Sequence, residues 1–420
     1  MSKKILVICQ HFWPETFRVT DICEGFVENG YEVDVLCGIP NYPAGKFFKD
    51  YGYFKNRRQK YKGINVIRVP EIPRGNNTNF RILLNYLSFP FCALFYVPYL
   101  LFQRYDRVMV YQLSPIFMAL PGILVSKLKH VKLYVYICDF WPHSLFSILH
   151  FKNKYLVKLI TSISYWHYRR ADGVVGVFKG IQERLISDVG IDEKKTLYIP
   201  QAAEKVYETK VSDKELEKRF AGKFNIVFAG NINPAQSFDI VLAAAKIVEE
   251  RGFTTVSYII IGEGMSKKWL MEEVARLGLQ DRFSFEGFMP VVEVPKYQTL
   301  ADALLVALSK SPLFEYGIPA KVQSYMAAGK PIIGAMDGEG KRLINKSGCG
   351  ICVDSGDAAG LAQSIIKLIM MKPSQREKIG QRGSDYHFKH FERNYNLNRL
   401  IEFIFNDNPI PDNEYTRSRN

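Results

Sequence analysis

One short stretch combines a carboxylate, a lysine and several helix breakers: FEYGIPAKVQSYMAAGKPI, residues 314–332. Gly317 and Pro319 exclude regular structure in its first part, whereas residues 321–328 are typical of a two-turn helix that ends at Gly329. A β-branched pair then begins a buried strand. A loop that presents backbone amides at a helix N-terminus can bind an anion. The stretch therefore predicts either an anion site or an ordinary connection between a helix and a strand.

Three other loops place a glycine directly after an apolar run, at positions where strands are expected to end. Gly230 follows the run NIVFA, Gly262 follows YIII, and Gly287 follows FSFE. Ligands of parallel sheets bind beyond the carboxyl ends of the strands, where such loops are neighbours. The loops around Gly230, residues 262–264 and residues 287–290 are therefore candidates for one shared ligand site.

Several common cofactor and metal sites are missing from the sequence. The first apolar run continues into CQHFWPETFR, which has no glycine, so the dinucleotide fingerprint G-x-G-x-x-G is absent there, and no P-loop occurs. No Asp-x-Asp pair with flanking polar loops is present, so we expect no metal ion and no other cofactor. The seven cysteines are scattered, which is typical of a reducing cytoplasm, and Cys349 and Cys352 are expected to pack in the core.

A regular alternation of strands and helices must position these residues. Short apolar runs in the first half predict strands at residues 4–9, 32–36, 66–68, 107–111, 132–137, 173–177 and 196–199. The second half has predicted strands at residues 225–229, 256–261, 283–285, 303–306, 331–335 and 350–353. Helices are predicted there at residues 238–251, 265–277, 358–371 and 374–386. Continuous apolar strands are typical of parallel sheets that are covered on both faces.

A charged stretch at residues 200–223 interrupts this alternation and divides the chain. We therefore expect two doubly wound α/β units, with a ligand in the cleft between them. The predicted domains are an N-terminal domain at residues 1–200 and a C-terminal domain at residues 201–389. A C-terminal helix at residues 390–406 is expected to pack back on the first domain, and residues 407–420 form a tail.

The formal net charge of +14 requires a partner. Basic residues alternate with aromatic rings in one predicted loop at residues 46–62, which suits an anionic bilayer or a nucleic acid. Residues 81–105 are apolar but are interrupted by Pro90 and Pro98, which favours a broken helix in the membrane interface over a span. A buried core helix is the alternative. Because no signal peptide is recognisable, we expect a cytoplasmic protein at the inner face of the plasma membrane, with no nucleic-acid partner.

The order of the motifs GNI, GEG, EGFMP, ADALLVALS and GIPAKVQSYMAAGKPII resembles glycosyltransferase family 4. The N-terminal motifs HFWPETFR, GIPNYPAG and DFWPHS are similar to a bacterial subgroup that builds capsule and O-antigen, with members similar to N-acetyl-L-fucosaminyl transferases. The resemblance covers essentially the whole chain. It implies the α/β GT-B fold, with two doubly wound, Rossmann-like domains that face each other across a cleft. The N-terminal domain at residues 1–200 would bind the acceptor, and the C-terminal domain at residues 201–389 would bind the nucleotide-sugar donor. The resemblance also implies a transferase that retains the anomeric configuration.

The resemblance also implies roles for individual residues. Residues 286–290 match the loop whose backbone holds the nucleotide base, and Gly230 lies where the diphosphate approaches the first strand of the second domain. Asp139, in ICDFW, falls near a catalytic histidine common in relatives, with the N-cap of a following helix as the alternative interpretation. Glu15 and Arg18 are expected to line the acceptor side.

The chain departs from the family at two acidic positions and two basic ones. Many members carry two glutamates eight positions apart, and these positions hold Tyr316 and Ser324 here. Glu315, one residue away, is the predicted substitute and joins Asp139 as a candidate catalytic residue. The family's arginine and lysine after the strand at residues 225–229 are replaced by neutral side chains, so Lys321 becomes the nearest cation for the diphosphate. The predicted donor-binding residues are Gly230, Asn231, Gln236, Gly262, Gly287, Phe288, Met289, Tyr316, Gly317, Ile318, Lys321 and Ser324.

Together these features predict a metal-independent transferase. It would move an N-acetyl-deoxyhexosamine, such as L-FucNAc, from a UDP-sugar to a lipid-linked saccharide acceptor. A nucleotide-sugar epimerase with the same fold is one alternative, but it would not need the apolar segment at residues 81–105. A basic nucleic-acid-binding protein is the other alternative, but it would leave the glycine loops of the second unit unexplained.

Overall fold

A computed structural model describes residues 2–76, 78–148, 153–200, 203, 205–311 and 317–406. The chain forms two compact units: Gln201–Arg393 is one, and Met1–Pro200 with the C-terminal helix is the other. Each unit has one sheet, helices that cover it, and a hydrophobic core of its own. Both sheets are doubly wound and mainly parallel, as the alternation of apolar runs predicted.

The first unit contains an eight-stranded sheet with the order β3-β4-β2-β1-β5-β6-β7-β8. Its strands are β1 (Lys4–Ile8), β2 (Glu32–Cys37), β3 (Arg58–Tyr61), β4 (Ile64–Arg68), β5 (Arg107–Gln112), β6 (Lys132–Ile137), β7 (Gly173–Gly176) and β8 (Thr196–Tyr198). Its helices before the second unit are α1 (Val19–Glu28), α2 (Asn79–Leu94), α3 (Val97–Leu101), α4 (Leu120–Lys129), α5 (His143–Ile148), α6 (Lys154–Arg169) and α7 (Lys179–Ser187). The central strand β1 lies between β2 and β5, and its four residues Ile5 to Ile8 are fully buried.

The second unit contains a six-stranded parallel sheet with the order β11-β10-β9-β12-β13-β14. Its strands are β9 (Phe224–Ala229), β10 (Val256–Ile261), β11 (Phe283–Gly287), β12 (Ala303–Ala307), β13 (Ile332–Ala335) and β14 (Gly350–Val353). Its helices are α8 (Lys214–Arg219), α9 (Phe238–Glu250), α10 (Lys267–Arg276), α11 (Val294–Leu300), α12 (Ala320–Ala327), α13 (Gly338–Ser347), α14 (Ala358–Met370) and α15 (Pro373–His390). Helix α12 ends as predicted, with Gly329 at φ +67° directly after its C-cap residue.

The basic and aromatic segment at residues 46–62 is not a single loop, which corrects the sequence prediction. Its residues Arg58–Tyr61 form β3, an edge strand that pairs antiparallel with β4. The strand was missed because its sequence, RQKY, has no apolar run. Polar and charged side chains on an edge strand hinder pairing with other chains, so such strands lack the usual signal.

The apolar segment at residues 81–105 forms a broken helix. Helix α2 ends at Leu94, two residues form a turn, and α3 begins at Val97, while Pro90 lies inside α2. One side of α2 is buried through Phe89 and Ala93. The opposite side exposes five large apolar side chains, each between 44 and 70% accessible, and we call them the α2 stripe: Phe80, Leu83, Leu87, Phe91 and Phe95. Within the described part of the chain, no helix is long and apolar enough to cross a membrane.

The last described helix, α16 (Arg393–Phe405), belongs to the first unit. Leu397 packs so closely on Gly25 that a side chain there would collide with it. The ring of Phe403 lies 5.6 Å from that of Tyr134, and Arg107 Nε donates a hydrogen bond to the Ile404 carbonyl (2.8 Å). The chain therefore returns to the first unit after completing the second.

Candidate functional site

The glycine loops after β9, β10 and β11 lie side by side because these strands are neighbours in the second sheet. The amide of Gly230 donates to the Ile261 carbonyl (3.0 Å), and that of Gly262 donates to the Gly287 carbonyl (2.8 Å). A Cβ on Gly262 would lie 2.0 Å from the Gly230 oxygen, so only glycine permits this approach. The three loops therefore form one backbone surface at the carboxyl edge of the sheet.

Lys321 lies directly beneath this surface, in the first turn of α12. Its Nζ atom is 3.9 Å from the ring centre of Phe228 and hydrogen bonds to Oε1 of Gln236. A Cβ on Gly230 would be only 3.3 Å from Nζ, so the glycine leaves the ammonium group open toward the strand end. Among the described residues Lys321 has no carboxylate partner, and desolvation lowers the pKa of Lys321 to about 7. An arriving anion would stabilise the charged form.

The other predicted donor-binding residues of these loops differ in exposure. Asn231 is exposed, and its side-chain oxygen lies close to Gly264 in the neighbouring loop. Phe288 is 66% exposed, whereas Met289 is partly exposed. All of them therefore belong to the surface formed by the strand ends.

The opening stretch is only partly described. Glu315, the predicted catalytic residue, and Tyr316 both lie outside the described residues. Gly317 is partly exposed, and Ile318 is buried just before α12. Ser324 is also buried, and its hydroxyl hydrogen bonds to the carbonyl one helical turn earlier (3.4 Å). Ser324 is therefore engaged with its own helix, which leaves the predicted contact with a ribose without structural support.

Glu286 anchors the loop that follows β11. Arg219 donates two hydrogen bonds to its carboxylate (2.7 and 2.9 Å), and the hydroxyls of Ser284 and Tyr297 donate as well. Burial by itself would raise the pKa of Glu286, but these hydrogen bonds outweigh it and lower the pKa. The Glu286 side chain thereby holds the start of the Gly287 loop in place, and the backbone of this loop remains available for other contacts.

In the first unit, Asp139 lies at the carboxyl end of β6. Its carboxylate accepts a hydrogen bond from the Ser114 hydroxyl (3.0 Å), which in turn accepts one from the Trp141 indole (3.0 Å). Burial raises the pKa of Asp139. The following helix α5 begins only at His143, four residues later, so the alternative interpretation of Asp139 as an N-cap is wrong.

The predicted acceptor residues Glu15 and Arg18 follow β1. Glu15 is buried and accepts hydrogen bonds from the backbone amides of Asn41 (2.8 Å) and Tyr42 (2.6 Å). Its second oxygen lies 2.9 Å from Nδ1 of His11. Arg18 lies just before α1, within electrostatic range of two buried tyrosines of β5 and β6. Glu15 therefore connects the ends of β1 and β2, and its position favours a structural contribution to this side.

Arg74 is a site residue that the sequence analysis missed. Its guanidinium group lies between the rings of Tyr42 (4.9 Å) and Tyr86 (5.1 Å). It is 3.4 Å from His11 Nε2 and 3.3 Å from Asn85 Oδ1. Because arginine can only donate, His11 must accept through Nε2 and donate through Nδ1 to the carboxylate beside it.

Glu71 and its partners form a buried polar group next to Arg74. Glu71 accepts hydrogen bonds from Gln10 Nε2 (2.9 Å) and Asn41 Nδ2 (2.7 Å), and all three side chains are at most 2% exposed. Burial raises the pKa of Glu71 well above its usual value. These residues follow β1, β2 and β4, which are neighbours in the sheet. A search for polar residues directly after predicted strands would have found them.

The described residues contain no cluster of three or more histidine, cysteine or acidic side chains that could hold a metal ion. Cys349 and Cys352 are both buried and unpaired. Burial raises the pKa of Cys349 to about 11 and that of Cys352 to about 12, so both thiols stay protonated. They pack in the core, as predicted.

Two family models match most of the chain. The model of the glycosyl transferase 4-like domain matches residues 16–202, and that of the glycosyl transferases group 1 matches residues 211–386. The two matches coincide closely with the two compact units.

Curated relatives and solved structures agree with these matches. The chain is 26% identical to a 2-deoxystreptamine glucosyltransferase of Streptomyces kanamyceticus over 50% of this chain and 54% of that protein. It is 20% identical to the putative colanic acid biosynthesis glycosyl transferase WcaI of Escherichia coli over 88% and 92%. Apart from WcaI, the chain spans about half the length of the first curated relatives that it matches. A crystal structure of Anabaena Alr3699/HepE in complex with UDP covers 95% of this chain and 98% of that one, with 18% identity and a TM-score of 0.69.

Proposed function

Because the chain belongs to the GT-B glycosyltransferases, we propose that it transfers a sugar from a UDP-sugar to a lipid-linked saccharide acceptor. The observation that carries this proposal is the position of Lys321, a desolvated lysine beneath the glycine loops of the second unit. A nucleoside diphosphate fits such a site because it brings two negative charges. The UDP bound to the similar HepE protein supports this choice of donor.

The second unit would bind the donor through its backbone and through Lys321. The strand ends at Gly230 and Gly262 allow phosphate oxygens to approach the backbone closely because these positions carry no side chain. Lys321, beside Gln236, would supply the positive charge that stabilises the departing diphosphate. A cation bound to the departing diphosphate would take the place of a metal ion. We therefore propose a metal-independent reaction.

In the first unit, Asp139 would hold a hydroxyl group of the transferred sugar or of the acceptor. The Ser114 hydroxyl fixes the orientation of its carboxylate, and the burial that raises its pKa also strengthens its hydrogen bonds. A correctly held hydroxyl lowers the entropic part of the barrier. The resemblance to family 4 supports retention of the anomeric configuration.

The first unit would also bind an anionic membrane surface. The α2 stripe exposes five large apolar side chains along one side of a helix, which suits insertion into the interface of a bilayer. The surrounding sequence is strongly basic, because residues 72–171 contain twelve lysines and arginines but only two acidic residues. Each basic residue near an anionic surface contributes about 1 kcal/mol to binding.

The basic segment at residues 46–62 joins this surface. Arg57 donates a hydrogen bond to the hydroxyl of Tyr96 (2.6 Å), and Arg58 lies over the ring of Tyr99 (4.6 Å). Both tyrosines belong to the end of the apolar segment, and Phe54, three residues before Arg57 in the chain, is 99% exposed. This proximity supports one continuous membrane-binding surface at the inner face of the plasma membrane. An acceptor with a lipid carrier would be within reach there.

The most detailed part of the proposal concerns which sugar is transferred and which polysaccharide is built. The N-terminal motifs favour an N-acetyl-deoxyhexosamine such as L-FucNAc, built into capsule or O-antigen. The curated relative WcaI, named for colanic acid biosynthesis, supports a surface polysaccharide as the product.

The proposal is tested by incubating the protein with membranes and a panel of UDP-sugars, and by measuring the release of UDP in the presence of EDTA. Donor-dependent release that requires a lipid extract and resists EDTA is the expected result. Interconversion of the UDP-sugar without UDP release would instead identify an epimerase. NMR of the product reports whether the anomeric configuration is retained.

A further inference from the structure

We propose that Arg74, held between the rings of Tyr42 and Tyr86, binds an oxyanion of the acceptor, either a phosphate or a carboxylate. The identification of the ligand as the acceptor rests on the proposed function, whereas the oxyanion site itself rests on the geometry of the first unit. Arg74 belongs to the first unit, whereas Lys321 belongs to the second.

The two nearby glutamates are already engaged. Glu15 binds two backbone amides and His11, and Glu71 binds Gln10 and Asn41. Among the described residues Arg74 consequently forms no salt bridge. Its side-chain hydrogen bonds are long, between 3.3 and 3.4 Å, and all go to neutral groups. A permanently charged side chain is thus held in place without a direct salt bridge to any described carboxylate, while Glu71 lies within electrostatic range of it.

The surroundings of Arg74 fit the recognition of a planar or tetrahedral oxyanion. The rings of Tyr42 and Tyr86 hold the guanidinium group between them. Its Nε and Nη2 atoms make the three long hydrogen bonds, and Nη1 has no hydrogen-bond partner among the described residues, so it can donate to an oxyanion. His11 cannot compete for an anion because its Nδ1 proton is directed at Glu15. Holding an unpaired charge in a partly buried position is costly, and a bound oxyanion would offset that cost.

The position of the site points to the acceptor. Arg74, Tyr42 and Tyr86 are each only partly buried, so the guanidinium group can be reached from solvent. Asp139 lies within electrostatic range of Tyr86. The pKa of Tyr86 is raised mainly by burial and, to a smaller extent, by the negative charge of Asp139. An oxyanion on Arg74 would therefore lie near the carboxylate that we propose to hold the reacting hydroxyl.

Calorimetry on the full chain saturated with UDP tests the proposal, because UDP blocks the donor site. Two probes distinguish the sources of the oxyanion: inorganic pyrophosphate represents the diphosphate of a lipid carrier, and glucuronate represents an acidic sugar. We expect one of them to bind, and Arg74→Gln to weaken that binding about tenfold to a hundredfold, the range for a charge-assisted hydrogen bond. Arg74→Lys keeps the positive charge but lacks the planar guanidinium group, so its affinity for the probe should lie between those of the wild-type protein and Arg74→Gln.

Two variants serve as matched controls. Arg81→Gln removes an exposed arginine from α2 and should leave the affinity for either probe unchanged. Lys330→Ala, a change in the second unit, should do the same. Thermal unfolding establishes that each variant is folded. Binding of neither probe, or equal binding by wild-type protein and both Arg74 variants, would overturn the proposal. Failure of UDP release in the transferase assay would refute the proposed function, but it would leave the result of this titration intact.

Discussion

Replacing Lys321 by alanine is expected to weaken UDP binding about tenfold to a hundredfold. The lost interaction is a charge-assisted hydrogen bond to a phosphate, worth about 1.5–3 kcal/mol, and each 1.4 kcal/mol corresponds to about a factor of ten. The positions after β9 where the family carries an arginine and a lysine hold the neutral side chains Asn231 and Gln236 in this chain. The Gln236 oxygen accepts from Lys321 Nζ, so a lysine at position 236 would bring its own ammonium group to the same place. Gln236→Lys in the Lys321→Ala background should recover part of the affinity.

The same lysine makes UDP binding depend on pH. Burial lowers the pKa of Lys321 to about 7 in the free protein, whereas a bound phosphate favours the charged form and raises this pKa. Binding must therefore take up a proton above about pH 7. From about pH 7 to about pH 9, the fraction of free protein in which Lys321 is charged falls roughly tenfold per pH unit. The Kd for UDP should therefore rise with pH until the pKa of Lys321 in the complex is reached.

Titration calorimetry in two buffers of different ionisation enthalpy measures both the affinity and the proton uptake. Lys330→Ala is the matched control, since burial also lowers the pKa of Lys330 but this lysine lies just beyond the other end of α12. It should leave UDP binding unchanged. An unaltered Kd in Lys321→Ala, or no proton uptake by the wild-type protein at pH 8, would refute the assignment of this lysine to the phosphate.

Three further predictions concern other parts of the molecule. Asp139→Asn should keep UDP affinity and lower turnover at least about a hundredfold, measured as UDP release; full turnover would exclude a catalytic contribution. Replacing three exposed basic residues of the segment at residues 46–62 by neutral ones should weaken binding to anionic vesicles, measured by flotation, about a hundredfold, and high salt should weaken it as well. Arg57 is left unchanged because its hydrogen bonds hold the segment together. The residues to replace are Lys55, Arg58 and Lys60. Because hydrogen bonds lower the pKa of Glu286, its contribution to stability is present above about pH 4.5 and lost as the pH falls through its folded value. In calorimetry, the melting temperatures of Glu286→Gln and wild-type protein should therefore converge in acid, and a constant difference would contradict this.

The fold was predictable because its signals are local. A strand that is buried on both faces must be apolar at nearly every position, so β9, β10 and β12 are visible as continuous runs within a residue of their observed limits. Gly329 and Pro331 likewise marked the end of α12. The edge strand β3 escaped prediction because only one side of it meets other strands, so its sequence need not be apolar.

The candidate site was predictable only in part, because its residues meet across long separations in the chain. Lys321 and Gln236 are 85 positions apart, and nothing in either segment specifies their hydrogen bond. The sequence by itself determined the strands, the glycines at their ends and the basic character of residues 72–171. Tertiary structure alone decided that Arg74 lies between two tyrosines, with no salt bridge to a described residue, and that Glu15 binds backbone amides. The physical reason is that side-chain partners are selected by the order of strands in the sheet, which depends on the packing of the whole unit.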